Sequence, residues 1–177
     1  MSRRRTAVTT AVAVAALVGA LATTSAATSA TAAPPSATDA SEVTTWNKVA
    51  AATLGAIPGP NGGAPPAFQI NMGMVQGAVY DAVNAIGPKQ HRPYVLETRT
   101  GAKASVDAAV ATAAFDVASE LVSTAPERAP FPGRQGLLDT LSATYAASLA
   151  SVPANAFRAQ GVAIGHAAAQ AMLRARQ

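Results

Sequence analysis

Between residues 67 and 86 the apolar side chains Phe68, Met72, Val75, Val79, Val83 and Ile86 recur at steps of four, three, four, four and three. That spacing draws a single stripe along an α-helix and predicts one over 67–86. Gly73 and Gly77 each cost such a helix roughly 1 kcal/mol against alanine. The cost is tolerable if another helix packs closely at both. Gly87-Pro88 closes the element, glycine acting as a C-terminal stop with proline just beyond.

The same period returns further along. Residues 103–123 carry Val106, Val110, Ala113, Val117 and Leu121 on one face; residues 134–150 carry Leu137 or Leu138, Leu141, Tyr145 and Leu149. A last stripe runs through Phe157, Gly161, Ile164, Ala168 and Met172, with Ser151 as the expected cap, Pro153 near the first turn, and Arg174 and Arg176 favouring the C-terminal end of the dipole. Upstream, "VTTWNKVAAATLGA" (43–56) predicts a further helix capped by Thr44 or Thr45. "IPGPNGGAPP" and "TAPERAPFPG" interrupt the helices with prolines that regular structure does not tolerate. No strand pattern competes and no sharp internal repeat is present. The expectation is an all-α fold, an antiparallel helical bundle of about five helices.

Composition sharpens that picture. Alanine is abundant and aromatic residues make up 5% of the chain, so the core must rely on close backbone approach rather than on large side chains. The first segment has the layout of a secretory signal: Arg3, Arg4 and Arg5, an apolar run from Ala11 to Ala22, and Ala30-Thr31-Ala32 as a cleavage site. The expected division is a signal peptide at 1–32, a flexible leader at 33–42 and a helical domain at 43–177. The apolar run is too short for a comfortable membrane span, so no stable span is expected once it is removed. The expected location is secreted, by the general route or, given the twin arginines, by the folded-protein route.

Removing the signal also changes the charge. The chain has 13 Lys+Arg and 9 Asp+Glu; without the three leading arginines the balance is 10 against 9. The basic character belongs to the address label, and nucleic-acid binding is not expected. Cysteine is absent, which excludes disulfide-stapled secreted scaffolds. About 145 residues remain, enough for one domain burying roughly 68–70% of its unfolded surface.

Candidate chemistry is sparse. His166 has Val162, Ala163, Ala169 and Gln170 at helical ligand spacing, so no metal pair forms around it, and His91 reads as a loop residue. Asp116 and Glu120 would share a helix face as a solvated pair. No Gly-x-Ser-x-Gly elbow occurs, and "PNGGAPP" is a poor phosphate loop. Lys89, Arg92, Arg99 and Lys103 cluster in a loop. Asp81 and Asn84 lie at the edge of the 67–86 stripe, where their expected work is to hydrogen-bond a neighbouring helix or loop backbone.

Taken together, "TTWNKVA" (44–50), "QGAVYDAVNAI" (76–86), "DTLSATYAASLASVP" (139–153) and "AQGVAIGHAAAQAMLRAR" (159–176) resemble the N-terminal helical half of bacterial vanadium-dependent haloperoxidases, relatives of the type 2 phosphatidic acid phosphatases. The resemblance spans most of 43–177, and "YDAVNAI" is its specific piece. Gln76 departs from it, standing where the family often has histidine. The resemblance implies a helical bundle, a partial haloperoxidase-like fold. It also implies, for a full-length member, a vanadate- or phosphate-binding pocket in the later half, where a lysine, two arginines and two histidines serve peroxide-driven halide oxidation or phosphoester hydrolysis.

Those motifs are missing here. Lys-x6-Arg-Pro would need lysine where Ala85 stands, seven before Arg92. Pro-Ser-Gly-His is matched only by Gly165-His166, after Ala163 and Ile164. Ser-Arg with histidine six residues on finds Ser2-Arg3 and Thr9. The expectation is therefore an exported, truncated or separately encoded haloperoxidase-like chain without catalysis of its own. No catalytic, cofactor or metal residue is assigned to it, and no cofactor is expected in it; vanadate is implied only for the full-length family. Its partner would be a C-terminal catalytic half or a second copy. The alternative is a secreted helical module that binds a partner through an exposed apolar face.

Overall fold

A computed structural model describes residues 37–60, 62–87, 91–97, 103–125 and 131–176. The expected signal segment and the first four leader residues lie outside them. The described residues form five helices and no strand: α1 (Ala37–Gly55), α2 (Ala67–Asn84), α3 (Val106–Ser123), α4 (Arg134–Ser151) and α5 (Ala156–Arg174). The fold is an all-α bundle. None of these helices is long and apolar enough to cross a membrane.

Several boundaries differ from expectation; α2, predicted over 67–86, ends at Asn84. Helix α1 begins at Ala37, so Thr44 and Thr45 lie inside it and residues 37–42 of the expected leader are helical. One cause is local: Trp46 Nε1 donates to Glu42 Oε1 at 2.9 Å, a bond across one turn that requires helix at 42. Helix α3 begins at Val106, where Ser105 caps it by accepting from Ala108 N at 3.2 Å. Helix α5 is capped by Asn155 rather than Ser151: Asn155 Oδ1 accepts from Phe157 N and Arg158 N. Ser151 ends α4 instead, donating to Ser148 O, and Pro153 stays in the connection. Asn155→Ala should cost about 1 kcal/mol of stability, the usual worth of an N-cap, read as a lowered urea midpoint.

Helix α3 is the hub. It packs on all four other helices, and Ala108 through Ala114, Val117, Ala118 and Val122 are buried on it. Alanine permits this, because a helix of small side chains can be enclosed on every side. Helices α1 and α2 run antiparallel, as do α3 and α4. Gln76 meets Asn47 while Phe68 lies opposite Gly55, so α2 descends as α1 rises. Arg134 reaches the carbonyls of Ser123 and Ala125, while Tyr145 meets Thr112 at 3.1 Å, which reverses α4 on α3. The short connection after α4 turns the chain once more, so α5 lies parallel to α3: Gly161 faces Ser105 and Ala108, and Gly165 faces Ala109 and Thr112.

Three aromatic residues form a cluster between α1, α3 and α4. Trp46, 1% exposed, meets Phe115 edge-on with ring centres 6.5 Å apart, and Phe115 stacks on Tyr145 at 4.4 Å. The predicted stripes hold except at Val83 and Phe157, which are exposed.

Candidate functional site

Asp81 is the most deeply buried carboxylate of the described residues, 1% exposed. Its place on α2 follows from the helix turning it between Ala78 and Ala82, both fully buried. Oδ1 accepts from Tyr94 N at 2.6 Å, and Oδ2 accepts from Val95 N and Leu96 N, both at 2.8 Å. One side chain thus satisfies three successive amides of a loop that has no ladder of its own. The expectation that Asp81 would hold a loop backbone is met. Asn84, its companion, has an Nδ2 with no hydrogen-bond partner among the described residues.

Tyr80, next to Asp81, donates its hydroxyl to Arg92 O at 3.0 Å. Together Tyr80 and Asp81 fasten residues 92–96 across α2. The fastened loop forms one wall of a groove whose other sides come from α2 and the end of α5. The groove is open to solvent and has a volume of about 670 Å³. Its floor is Gly73, Met74, Gly77 and Met172, its flanks are Ile70, Tyr80 and Tyr94, and Arg92 and Arg176 stand on it. No carboxylate lines it among the described residues. Tyr94 is 69% exposed, and Ile70 and Tyr80 are 44% exposed.

The two glycines of α2 behave differently here. A Cβ at Gly77 would come 2.5 Å from Met172 Cε and 3.3 Å from Tyr94 Cδ1, so that glycine admits α5 and the loop. A Cβ at Gly73 would meet nothing within 4 Å. The condition that would make both glycines tolerable, a closely packed neighbour, is met at Gly77 and not at Gly73.

A second constellation joins α3 to α5. His166 Nδ1 is hydrogen-bonded to Asp116 Oδ2, with His166 about half exposed and Asp116 21% exposed. Asp116 is thus more than part of a solvated acid pair. It tethers two helices, and with Ser119, Glu120, Ser123 and Gln170 it lines a smaller groove of about 290 Å³. A carboxylate that orients an imidazole is the supporting half of a hydrolytic triad. The nucleophile is not in position, since Ser119 Oγ has no hydrogen-bond partner. No group of three or more potential metal ligands occurs among the described residues.

His91 is exposed in the loop; Arg92 and Lys103 are exposed and fall on opposite sides of residues 98–102; Lys89 and Arg99 lie outside the described residues. Reasoning from spacing missed the 670 Å³ groove because Ile70, Gly73 and Tyr80 fall off the apolar stripe, and Arg92 and Arg176 come from unrelated segments. Comparison of the chain with protein-family models, curated proteins and solved structures finds no match.

Proposed function

We propose that the chain is an exported helical scaffold akin to the N-terminal half of vanadium haloperoxidases, with no halide-oxidising or phosphoester-cleaving catalysis of its own. The use made of Asp81 carries this reading. In "YDAVNAI", the segment most specific to the resemblance, both carboxylate oxygens are taken up by backbone amides of residues 94–96 and the tyrosine hydroxyl by Arg92 O. Groups committed to holding a loop are not available to move protons or grip a tetrahedral oxide. The sequence also lacks the lysine–arginine, glycine–histidine and serine–arginine elements that would form the clamp, and a cluster of preorganised donors is what such a reaction requires.

The test is turnover. Purified chain incubated with orthovanadate, hydrogen peroxide, bromide and a halogenatable dye should give no vanadate-dependent rate above the protein-free control. Vanadate-dependent bromination that is lost on replacing His166 or Arg92 would overturn the proposal. A second reading, a module that binds a partner molecule, is favoured by the exposed Ile70, Tyr80 and Tyr94 around one groove.

A further inference from the structure

We infer that the groove between α2, α5 and the loop at 91–97 is a binding site for a small amphipathic anion, a molecule with a flat or aliphatic apolar body and one carboxylate, sulfonate or phosphate group. The inference does not depend on the haloperoxidase resemblance. Three features of the groove agree on this ligand class.

The first is Gly73. A glycine inside a helix is unfavourable against alanine, and close packing is the ordinary reason to keep one. Gly77 has that reason in Met172 and Tyr94. Gly73 has none, since a side chain there would meet open space. What its bare backbone does is lower the groove floor by the depth of a side chain, beside Met74 and Gly77. Gly136 on α4 has the same open space, so what counts at Gly73 is its place in the groove, where the room it leaves fits a ligand's apolar body.

The second is charge. Arg92 and Arg176 line the groove, and no described lining residue is acidic. Two arginines in the lining of a mainly apolar groove suit an oxyanion, which a guanidinium group binds through paired N–H donors. Tyr80 and Tyr94 add aromatic surface against which an apolar body can lie.

The third is rigidity. Arg92 and Tyr94 sit on a loop held at Arg92 O by Tyr80 and at residues 94–96 by Asp81. The wall is therefore set before a ligand arrives, which lowers the ordering cost of binding.

Anilinonaphthalene sulfonate is a suitable probe, with neutral phenylnaphthylamine as its uncharged counterpart. The full chain should bind the sulfonate saturably, with enhanced fluorescence and at least tenfold tighter than the neutral dye. Gly73→Leu, which fills the floor, should weaken binding at least tenfold while leaving the melting temperature unchanged or raised. Gly136→Leu is the matched control: Gly136 is also an exposed helical glycine with nothing within 4 Å of a Cβ, but it stands on α4, away from the groove. It should bind as the parent does. Arg92→Gln combined with Arg176→Gln should erase the preference for the sulfonate over the neutral dye. Absence of saturable binding, or a Gly73→Leu chain that binds like the parent, would overturn the site. Equal affinity for both dyes in the parent would overturn the anionic ligand class.

Discussion

Asp81→Ala should destabilise the fold by about 3–4 kcal/mol, measured as a shift in the urea midpoint. The substitution removes the acceptor of three backbone amides at once. Each buried donor left without a partner costs about 1–3 kcal/mol; water reaching the half-exposed loop recovers part of the total. Natural domains hold only about 5–15 kcal/mol in all, so this one contact is a large share. Asp81→Asn should cost roughly half as much, because an amide keeps one accepting oxygen and turns donors toward the remaining N–H. The chain supplies its own reporter: Trp46 is its one tryptophan and is 1% exposed. An Asp81→Ala midpoint within experimental error of the parent would refute the loop-anchor role.

The second large effect is expected at Gly165. A methyl group there would lie 2.6 Å from Ala109 O and from Thr112 Cβ, and 3.0 Å from Ala113 N. These are backbone and β-carbon atoms of another helix, so no rotamer change relieves the contact. Helix α5 must move off α3, and overpacking of this kind costs about 1–3 kcal/mol. Against it stands the gain of roughly 1 kcal/mol that alanine brings to a helix. The clash involves several rigid atoms and wins; Gly165→Ala should lose about 2 kcal/mol net. The same change at Gly73 meets no neighbour and should stabilise by up to about 1 kcal/mol. Opposite signs for one chemical substitution at two helical glycines, read from thermal melts, would separate packing from propensity. A Gly165→Ala protein as stable as the parent would mean that α3 and α5 are not in backbone contact.

These contrasts mark where sequence reasoning succeeds. The α2 stripe predicts Val75 and Val79 inside, and they are. The predicted stop at Gly87 is late: the helix ends at Asn84 with Ala85 as its cap, and Gly87, with φ +81°, turns the chain three residues further on. Periodicity does not reveal the enclosure of α3 at 108–114, because alanine suits a surface as readily as a core; only beyond it do Asp116, Ser119, Glu120 and Ser123 mark a polar face. Nor does it separate Gly73 from Gly77, which differ only in what a third segment places against them. Asp81 could be expected to hold some backbone, yet its partners lie 13 to 15 residues on, in a loop with no period of its own. The Asp116–His166 tether spans 50 positions. Local spacing carries no trace of such a pair, and the groove is hidden from sequence for the same reason.

The position of α3 has a consequence for how the chain comes into being. Helices α1 and α2 each touch α3 more extensively than they touch each other. A ribosome releases them first, so Trp46, Leu54, Val75 and Ala78 emerge before the wall that will cover them. Until residues 106–123 follow, the nascent chain holds its largest apolar groups without their proper shelter, and the bundle can close only around a centre that arrives third.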